Sequence, residues 1–145
     1  MTIRQLTKDD LPQAQTLIWD TFLSFEAPDY AQAGIDTFYT CLYDPVFLDG
    51  LTFYGAYQAG ALIGVLATRS SGSHISMFFV REGCQQQGIG RRLFSHMLEA
   101  ATHSKITVNS SPFAVGIYEK LGFKQTDTEQ LTDGIRYTPM VYIIQ

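Results

Sequence analysis

A glycine-containing junction between an apolar strand and an amphipathic helix constrains this chain most. The β-branched and aromatic run His74–Val80 predicts a strand, and apolar residues spaced four apart predict a helix from Gly88 to about His103. Between them lies the sequence Gln-Gln-Gln-Gly-Ile-Gly, residues 85–90. The first N–H groups of a helix lack partners and carry about half a positive charge. The junction is therefore suited to a phosphate group.

Residue types at the junction leave two interpretations open. Gly88 and Gly90 would let a ligand approach the backbone closely, and Arg91 and Arg92 oppose the helix dipole unless an anion lies near. From spacing alone, a tight turn with solvated arginines explains the segment equally well. Two other phosphate motifs are excluded, because Leu93 stands where a dinucleotide fingerprint needs its third glycine and the Gly-Lys-Ser/Thr of a P-loop is absent.

Strands and helices are predicted along the rest of the chain. Helical spacing and caps predict helices from Asp9 or Asp10 to the break at 27–29, and at Tyr30–Tyr43, Gly88–His103 and Ser110–Leu121. Strands are predicted at Thr2–Leu6, Leu51–Tyr57, Ala61–Thr68, His74–Val80, Lys105–Asn109, Phe123–Thr126 and Tyr137–Ile144. Pro139 predicts that the last strand is bulged or lies at an edge. The order β-α-α-β-β-β-α-β-α-β-β indicates one α/β domain over residues 1–145, with a mixed (α+β) sheet.

Composition excludes several classes of protein. The chain has 145 residues, a hydrophobic fraction of 46% and a net charge of −4. These values suit one folded domain and argue against nonspecific nucleic-acid binding. No apolar run reaches the roughly 18 residues of a membrane helix, and the first residues lack a signal-peptide pattern. With only Cys41 and Cys84, neither a disulfide framework nor a metal site is expected, and the reducing cytoplasm is the expected compartment.

Charge is distributed unevenly between the two halves. Residues 1–73 hold eight acids and three bases, whereas residues 74–145 hold six acids and seven bases. This asymmetry suits an anionic cofactor in the second half and a cationic acceptor near the first. Ordinary surface scatter would explain it as well.

Two blocks of sequence resemble the GCN5-related N-acetyltransferases. The family signature Gln/Arg-x-x-Gly-x-Gly/Ala stands here at residues 85–90, and a second block stands at Asn109–Ala114, followed by Ile117–Phe123. The order of elements is similar too, so the resemblance covers nearly the whole chain. It implies an enzyme of that fold that moves an acetyl group from acetyl-CoA to a primary amine by direct attack in a ternary complex. A non-catalytic acyl-CoA-binding sensor or subunit of the same fold is the alternative.

The same resemblance implies where acetyl-CoA would bind. The strand His74–Val80 would separate from the next strand, so that its backbone pairs with the pantetheine arm. N–H groups from Gln85 to Arg91 would hold the pyrophosphate, and Asn109 and Phe113 would lie along the pantetheine and its thiol end. The implied cofactor residues are Phe78, Phe79, Val80, Gln85, Gln86, Gln87, Gly88, Ile89, Gly90, Arg91, Asn109, Phe113 and Tyr118.

Three residues are candidates for acid–base catalysis. Tyr118 matches the family tyrosine near the thioester sulfur, and its ordinary pKa of about 10 lies near that of a thiol, so it could protonate the leaving group. It could also be a core tyrosine. His74, at the start of its strand, and Glu26, where the first helix ends, are competing bases; each could instead be a surface residue. Cys84 is not expected to act as a nucleophile, because no His/Asp pattern accompanies it.

The acceptor amine is not encoded in a recognisable motif. Aromatic residues are numerous in the two early helices, and most are expected in the core, with one or two lining an acceptor pocket: Trp19, Phe22, Phe25, Tyr30, Phe38 and Tyr39. The resemblance also makes a homodimer possible. Neither a metal nor a membrane is an expected partner.

Overall fold

A mixed sheet forms the framework on which the helices are mounted. The computed structural model describes residues 1–145. Its strands are β1 Thr2–Gln5, β2 Thr52–Gln58, β3 Ala61–Arg69, β4 His74–Val80, β5 Lys105–Ser110, β6 Lys124–Gln125, β7 Gln130–Thr132 and β8 Ile135–Ile143. Its α-helices are α1 Leu11–Phe25, α2 Gln32–Leu42, α3 Pro45–Asp49, α4 Ile89–Glu99 and α5 Val115–Leu121. The predicted mixed α/β architecture is confirmed.

Strand order brings the two halves of the chain together at β4 and β5. The sheet runs β1-β2-β3-β4-β5-β8-β6, and β7 pairs with β8 outside this path. The neighbouring strands from β1 to β4 pair antiparallel, whereas β4 and β5 pair parallel. Their pairing is limited to His74 with Thr107 and Ile75 with Val108. Beyond Ile75 the two strands separate, as expected from the family resemblance.

Apolar side chains form one core on each face of the sheet. On one face, α1 and α2 pack against β3 and β4 through residues such as Ile18, Phe22 and Leu42. On the other, α4 and α5 pack through residues such as Leu93 and Tyr118 against strand residues such as Ile106. No helix has the length and apolarity needed to cross a membrane.

Short elements and helix ends differ from the sequence predictions. The segment after Asp44 is a further short helix, α3, because the Asp44 side chain accepts the Val46 N–H at 3.0 Å and Pro45 occupies the first position. Strand β7, three residues long, was also not predicted. Helix α4 ends at Glu99 rather than near His103, and α5 begins at Val115 because residues 111–114 form a tight turn.

The prediction that Pro139 places the last strand at an edge or in a bulge is wrong. Strand β8 pairs with β5 on one side and with β6 on the other, in regular register. The Pro139 carbonyl accepts the Thr126 N–H at 2.9 Å. The N–H and C=O of one residue in an antiparallel strand point to the same side, so the N–H that proline lacks would also face the β6 side. Strand β6 ends at Gln125, next to that point. The absent donor therefore ends the short β6 ladder without interrupting the β5 ladder.

Candidate active site

A cavity of about 770 Å³ lies beside the separated part of β4. Its walls come from the end of α1, the C-terminal half of β4, the loop into α4, and α5 with the connection that precedes it. The predicted residues that line it are Glu26, Phe78, Phe79, Val80, Gln85, Gln86, Gly88, Ile89, Gly90, Arg91, Phe113 and Tyr118. Segments that are distant in the chain thus meet in one cavity.

The loop into α4 leaves open space where a ligand could approach. Gly88 has a φ of 80°, in the left-handed region that glycine adopts without strain, and a Cβ built on it would meet no atom within 4 Å. The Gln85 side chain donates to the Val80 carbonyl at 3.2 Å and so links the loop to the end of β4. Helix α4 begins directly after Gly88, so its free N–H groups border this space. Such a junction can hold a phosphate or pyrophosphate.

Side-chain charge near the loop differs from the expectation. Arg91 lines the cavity, and its guanidinium donates to the Lys120 carbonyl at 2.9 Å, which joins the start of α4 to the end of α5. Lys120 itself lines the cavity. Arg92 is exposed and lies outside the lining. Arg91 and Lys120 are therefore the basic residues of the cavity wall; Lys120 lies in the second family block but had no predicted role in the site.

Glu26 follows the last residue of α1 and lines the cavity. Burial raises the pKa of its carboxyl to about 7; the nearby Ser111 side chain opposes this rise, and the charge of Asp29 adds to it. Burial has this effect because a poorly solvated carboxylate is disfavoured relative to the neutral acid. A carboxyl that titrates near neutral pH can take up and release a proton under physiological conditions.

Tyr118 projects from α5 into the same cavity. Its side chain is 5% exposed, and its ring lies edge-on to Phe78 with centroids 6.0 Å apart. Burial raises the pKa of Tyr118 well above its ordinary value, and the nearby charge of Glu26 adds to the rise. The phenol is therefore a protonated hydrogen-bond donor. The expected match between its pKa and that of a thiol does not hold in this environment.

Three predicted site residues lie away from the cavity. The His74 ring nitrogen Nδ1 is 2.8 Å from Thr107 Oγ1, where β4 and β5 still pair, and burial, with Arg69 nearby, lowers the pKa of His74 to about 4. Asn109 is exposed, since its neighbours Val108 and Ser110 are the inward-facing residues of β5. The Gln87 side chain is exposed as well. The structure thus groups Glu26 with Tyr118 and leaves His74 out.

Several lining residues were not predicted as site residues. Phe25 had been named only among the aromatic residues of the early helices; its ring stacks on Phe113 with centroids 5.1 Å apart. The remaining ones are Thr21, Cys84, Ala114, Gly116, Ile117, Lys120 and Leu121. The other early aromatics pack mainly in the α1–α2 core, as expected; Phe22 and Phe38, for example, stack with centroids 4.1 Å apart. Helical spacing identified the cores but not the α5 residues that face the cavity.

Comparison with known proteins identifies relatives at the level of family and sequence. A family model described as an acetyltransferase (GNAT) domain matches residues 26–144. The peptidyl-lysine N-acetyltransferase YjaB of Salmonella typhimurium is 33% identical over 75 residues, which are 51% of this chain and 52% of that protein. The Escherichia coli YjaB is 36% identical over 64 residues, 43% of this chain and 44% of that protein. The matched segments thus span about half the length of these curated relatives.

Solved structures show the same fold at low sequence identity. A GCN5-related N-acetyltransferase from Rhodopseudomonas palustris superimposes with a TM-score of 0.85 and 18% identity, over 99% of this chain and 95% of that chain. The PaiA N-acetyltransferase from Thermoplasma acidophilum, solved in complex with coenzyme A, gives a TM-score of 0.76 and 18% identity, over 98% of both chains. At this identity the likeness establishes the fold alone.

Proposed function

We propose that this chain, which belongs to the GNAT acetyltransferase family, transfers an acetyl group from acetyl-CoA to a primary amine. The observation that carries the proposal is the shared cavity. An anion-binding junction at Gly88–Gly90 opens into the same space as a carboxyl that titrates near neutral pH and a protonated phenol. Neutralising an amine and protonating a thiolate require groups of these two kinds.

The cavity fits the parts of an acyl-CoA in chemical character. The free edge of β4 between Phe78 and Val80 offers backbone groups for the amides of pantetheine, in the manner of an added strand. The N–H groups from Gln85 to Arg91, with the charges of Arg91 and Lys120, suit the pyrophosphate. Phe113 would lie against the pantetheine. Asn109 and the Gln87 side chain have no proposed contact with acetyl-CoA, because both are exposed and lie outside the cavity wall.

Glu26 and Tyr118 divide the proton transfers between them. Glu26 takes a proton from the acceptor ammonium, directly or through water, and so exposes the amine lone pair. The amine attacks the thioester carbonyl, the C–N bond forms and the C–S bond breaks. Tyr118 donates its hydrogen bond, and finally a proton, to the departing sulfur. The phenol then regains a proton as the product amide loses its own.

The acceptor is proposed as a primary amine, including the lysine side chain of a peptide. The curated relatives with more than 30% identity over their matched halves are named as peptidyl-lysine N-acetyltransferases, which supports lysine as one candidate. The apolar rings of Phe25 and Phe79, which line the same cavity as Glu26, suit an alkyl stem that ends in an amine. Both cysteines are unpaired, which is in keeping with a cytoplasmic setting.

An assay of thiol release tests the proposal. Purified protein would be mixed with acetyl-CoA and with polyamines, aminoglycosides, amino acids or lysine peptides, and free CoA would be measured. Release that depends on an amine, and that is lost in Glu26→Gln, is the expected result. Tight acetyl-CoA binding without release across the whole panel would favour the non-catalytic acyl-CoA sensor. Failure to bind acetyl-CoA would overturn both functions.

A further inference from the structure

We propose that the stacked rings of Phe25 and Phe113 form an apolar closure that keeps water from Glu26 and the bound thioester. The acyl group is then transferred to an amine and is not hydrolysed. The inference rests on the proposed function, which places Glu26 at the thioester. It gives the ring pair a part in specificity, because an amine and water compete for the same carbonyl carbon.

The ring pair joins two segments that are distant in the chain. Phe25 is the last residue of α1, and Phe113 lies in the connection between β5 and α5. Their ring centroids are 5.1 Å apart and the interplanar angle is 29°, which is the geometry of a stacked pair. Both residues line the cavity that Glu26 also lines, and Glu26 follows Phe25 directly in the chain. The pair therefore supplies apolar wall that begins one residue from the proposed base.

The end of α1 also contacts the segment that follows β4. The Ser24 hydroxyl donates to the Glu82 carboxylate at 3.3 Å, and Glu82 lies in the loop between β4 and α4. Strands β4 and β5 are parallel, so the segments that follow them leave the sheet at the same edge. The last residues of α1 thus span the opening between the two separated strands. The contact between Phe25 and Phe113 completes this span on the β5 side.

Exposure shows that the rings lie nearer to solvent than the groups they would shield. Phe113 has 39% of its surface exposed and Phe25 is partly buried. Tyr118, in the wall of the same cavity, is only 5% exposed. The carboxyl of Glu26 is buried as well, which is the main cause of its raised pKa. Opening the ring pair would therefore bring water closer to both groups.

Water that reached the thioester would react with the same acid and base. Glu26 would take one proton from the water, a C–O bond would form at the carbonyl carbon, and the C–S bond would break. Tyr118 would protonate the departing sulfur, and Glu26 would return its proton to the phenol. The products would be acetic acid and free CoA. An apolar closure prevents this loss without removing any group that transfer to an amine requires.

The products released by ring-truncated variants test the closure. With saturating acetyl-CoA and no amine, Phe113→Ala should release CoA at least about tenfold faster than wild type. Phe25→Ala should have the same effect, and the double variant should add little, because either truncation already opens the pair. Phe113→Tyr, which keeps the ring, should behave like wild type. Mass spectrometry of acetylated amine against total CoA gives the fraction lost to water.

A measurement without acetyl-CoA reports on the same closure. Burial raises the pKa of Glu26 to about 7, so water admitted by Phe113→Ala should lower this pKa toward its ordinary value of 4.5. A 13C NMR titration of the Glu26 carboxyl in the free protein measures the change. The titratable groups whose charges interact with Glu26 are Asp29, Tyr30 and Tyr118, and none of them is altered in these variants.

Tyr43→Ala is the matched control. Tyr43 is 41% exposed, and its ring packs on Tyr39 with centroids 4.9 Å apart, much as Phe113 packs on Phe25. It lies outside the cavity wall, so its truncation should change neither the hydrolysis of acetyl-CoA nor the titration of Glu26. The control therefore separates the closure from a general effect of removing a surface ring.

Three results would overturn the inference. They are hydrolysis no faster than wild type in folded Phe113→Ala, an unchanged titration of Glu26 in that variant, and equal changes in Tyr43→Ala. If Phe113→Ala does not fold, Phe25→Ala is judged by the same criteria. Wild-type protein that releases no CoA with any amine would instead overturn the proposed function, and the titration of Glu26 would then decide the closure by itself.

Discussion

At the residue scale, burial determines the proton affinity of the three acid–base candidates. Poor solvation raises the pKa of Glu26 to about 7 and raises that of Tyr118, whereas it lowers the pKa of His74 to about 4. The direction differs because burial disfavours the charged form, which is the deprotonated form of a carboxyl or phenol and the protonated form of an imidazole. Only Glu26 and Tyr118 combine this perturbation with a place in the cavity wall.

Replacement of Tyr118 by phenylalanine should lower turnover and leave binding intact. The variant keeps the buried ring and its contacts with Phe78 and Phe123 but loses the donor to the departing sulfur. We expect kcat to fall about 100-fold, with the Kd for acetyl-CoA within about twofold of wild type, as measured by steady-state kinetics and calorimetry. Unchanged turnover would remove the acid role of Tyr118.

Replacement of Glu26 by glutamine should stabilise the protein at alkaline pH. The unfolded carboxyl ionises near 4.5, whereas the folded one keeps its proton up to about 7. The folded state therefore loses stability as the pH rises from 4.5 to 7, by about 3 kcal/mol in total. Urea unfolding at pH 8 should show Glu26→Gln more stable than wild type by up to about this amount, with no difference near pH 4.5.

The exposed Glu99 gives the matched control for this stability measurement. Glu99→Gln removes the same charge from the end of α4 and should change stability little at either pH. A Glu26→Gln protein that is no more stable than wild type at pH 8 would show that the carboxylate is better solvated than its surroundings indicate.

At the element scale, the junction of β4 with α4 joins two kinds of local geometry. The strand ends where its partner β5 has already separated, and the helix begins at a glycine in the left-handed region. The Gly88 carbonyl accepts the Arg92 N–H at 3.0 Å, so the helix is complete from its first turn. Because Gly88 borders open space and Gly90 packs against Phe78, the two glycines have different functions.

Alanine at these two positions should therefore have unequal effects. At Gly88, with a φ of 80°, alanine adopts the left-handed conformation at a cost of about 1–2 kcal/mol and places a methyl group in the open space; acetyl-CoA affinity should fall at least about tenfold. At Gly90, the added carbon would lie 3.5 Å from Phe78, an ordinary contact, so affinity and melting temperature should stay near wild type. Calorimetric titration of both variants checks this, and equal losses of affinity would contradict it.

At the scale of the whole molecule, a hairpin near the C-terminus is fastened to the second helix. The turn between β7 and β8 meets α2 where Gly34 and Gly134 bring their backbones together. The Thr37 hydroxyl donates to the Asp133 carbonyl at 2.7 Å, and the Arg136 guanidinium donates to the Asp29 carbonyl at 2.9 Å. These contacts hold the α1–α2 half of the chain, which includes Glu26, against the β5–β8 half.

Alanine at Gly34 should weaken this attachment. Its Cβ would collide with the Gly134 carbonyl oxygen, and backbone atoms cannot move aside as a flexible side chain can. We expect a loss of about 1–3 kcal/mol and a melting temperature about 5 °C lower, with unchanged affinity for acetyl-CoA because Gly34 lies outside the cavity. Gly50→Ala, whose Cβ would meet only an ordinary contact at 3.6 Å, is the control and should melt like wild type.

Long elements with clear periodicity were predictable, and short ones were not. Strand β4 begins and ends at the predicted residues, and the two strands predicted before it form the antiparallel pair β2–β3. Helix α3 and strand β7, of five and three residues, lack the length over which a period can be recognised. At Pro139 the prediction of an edge or bulged strand failed. The N–H that proline lacks would face the end of β6, so the pairing of β8 with β5 does not need it, and the sequence does not show which neighbour lies on which side.

The sequence by itself determined the junction at Gly88–Gly90 and the family that it indicates, because glycine conformation and free helix N–H groups are properties of a few consecutive residues. The tertiary structure alone decided that Glu26, and not His74, shares a cavity with Tyr118. It also placed Lys120 in the wall of that cavity. Burial and the approach of distant segments depend on how α1, α4 and α5 pack on the sheet, and no local pattern in the chain records that packing.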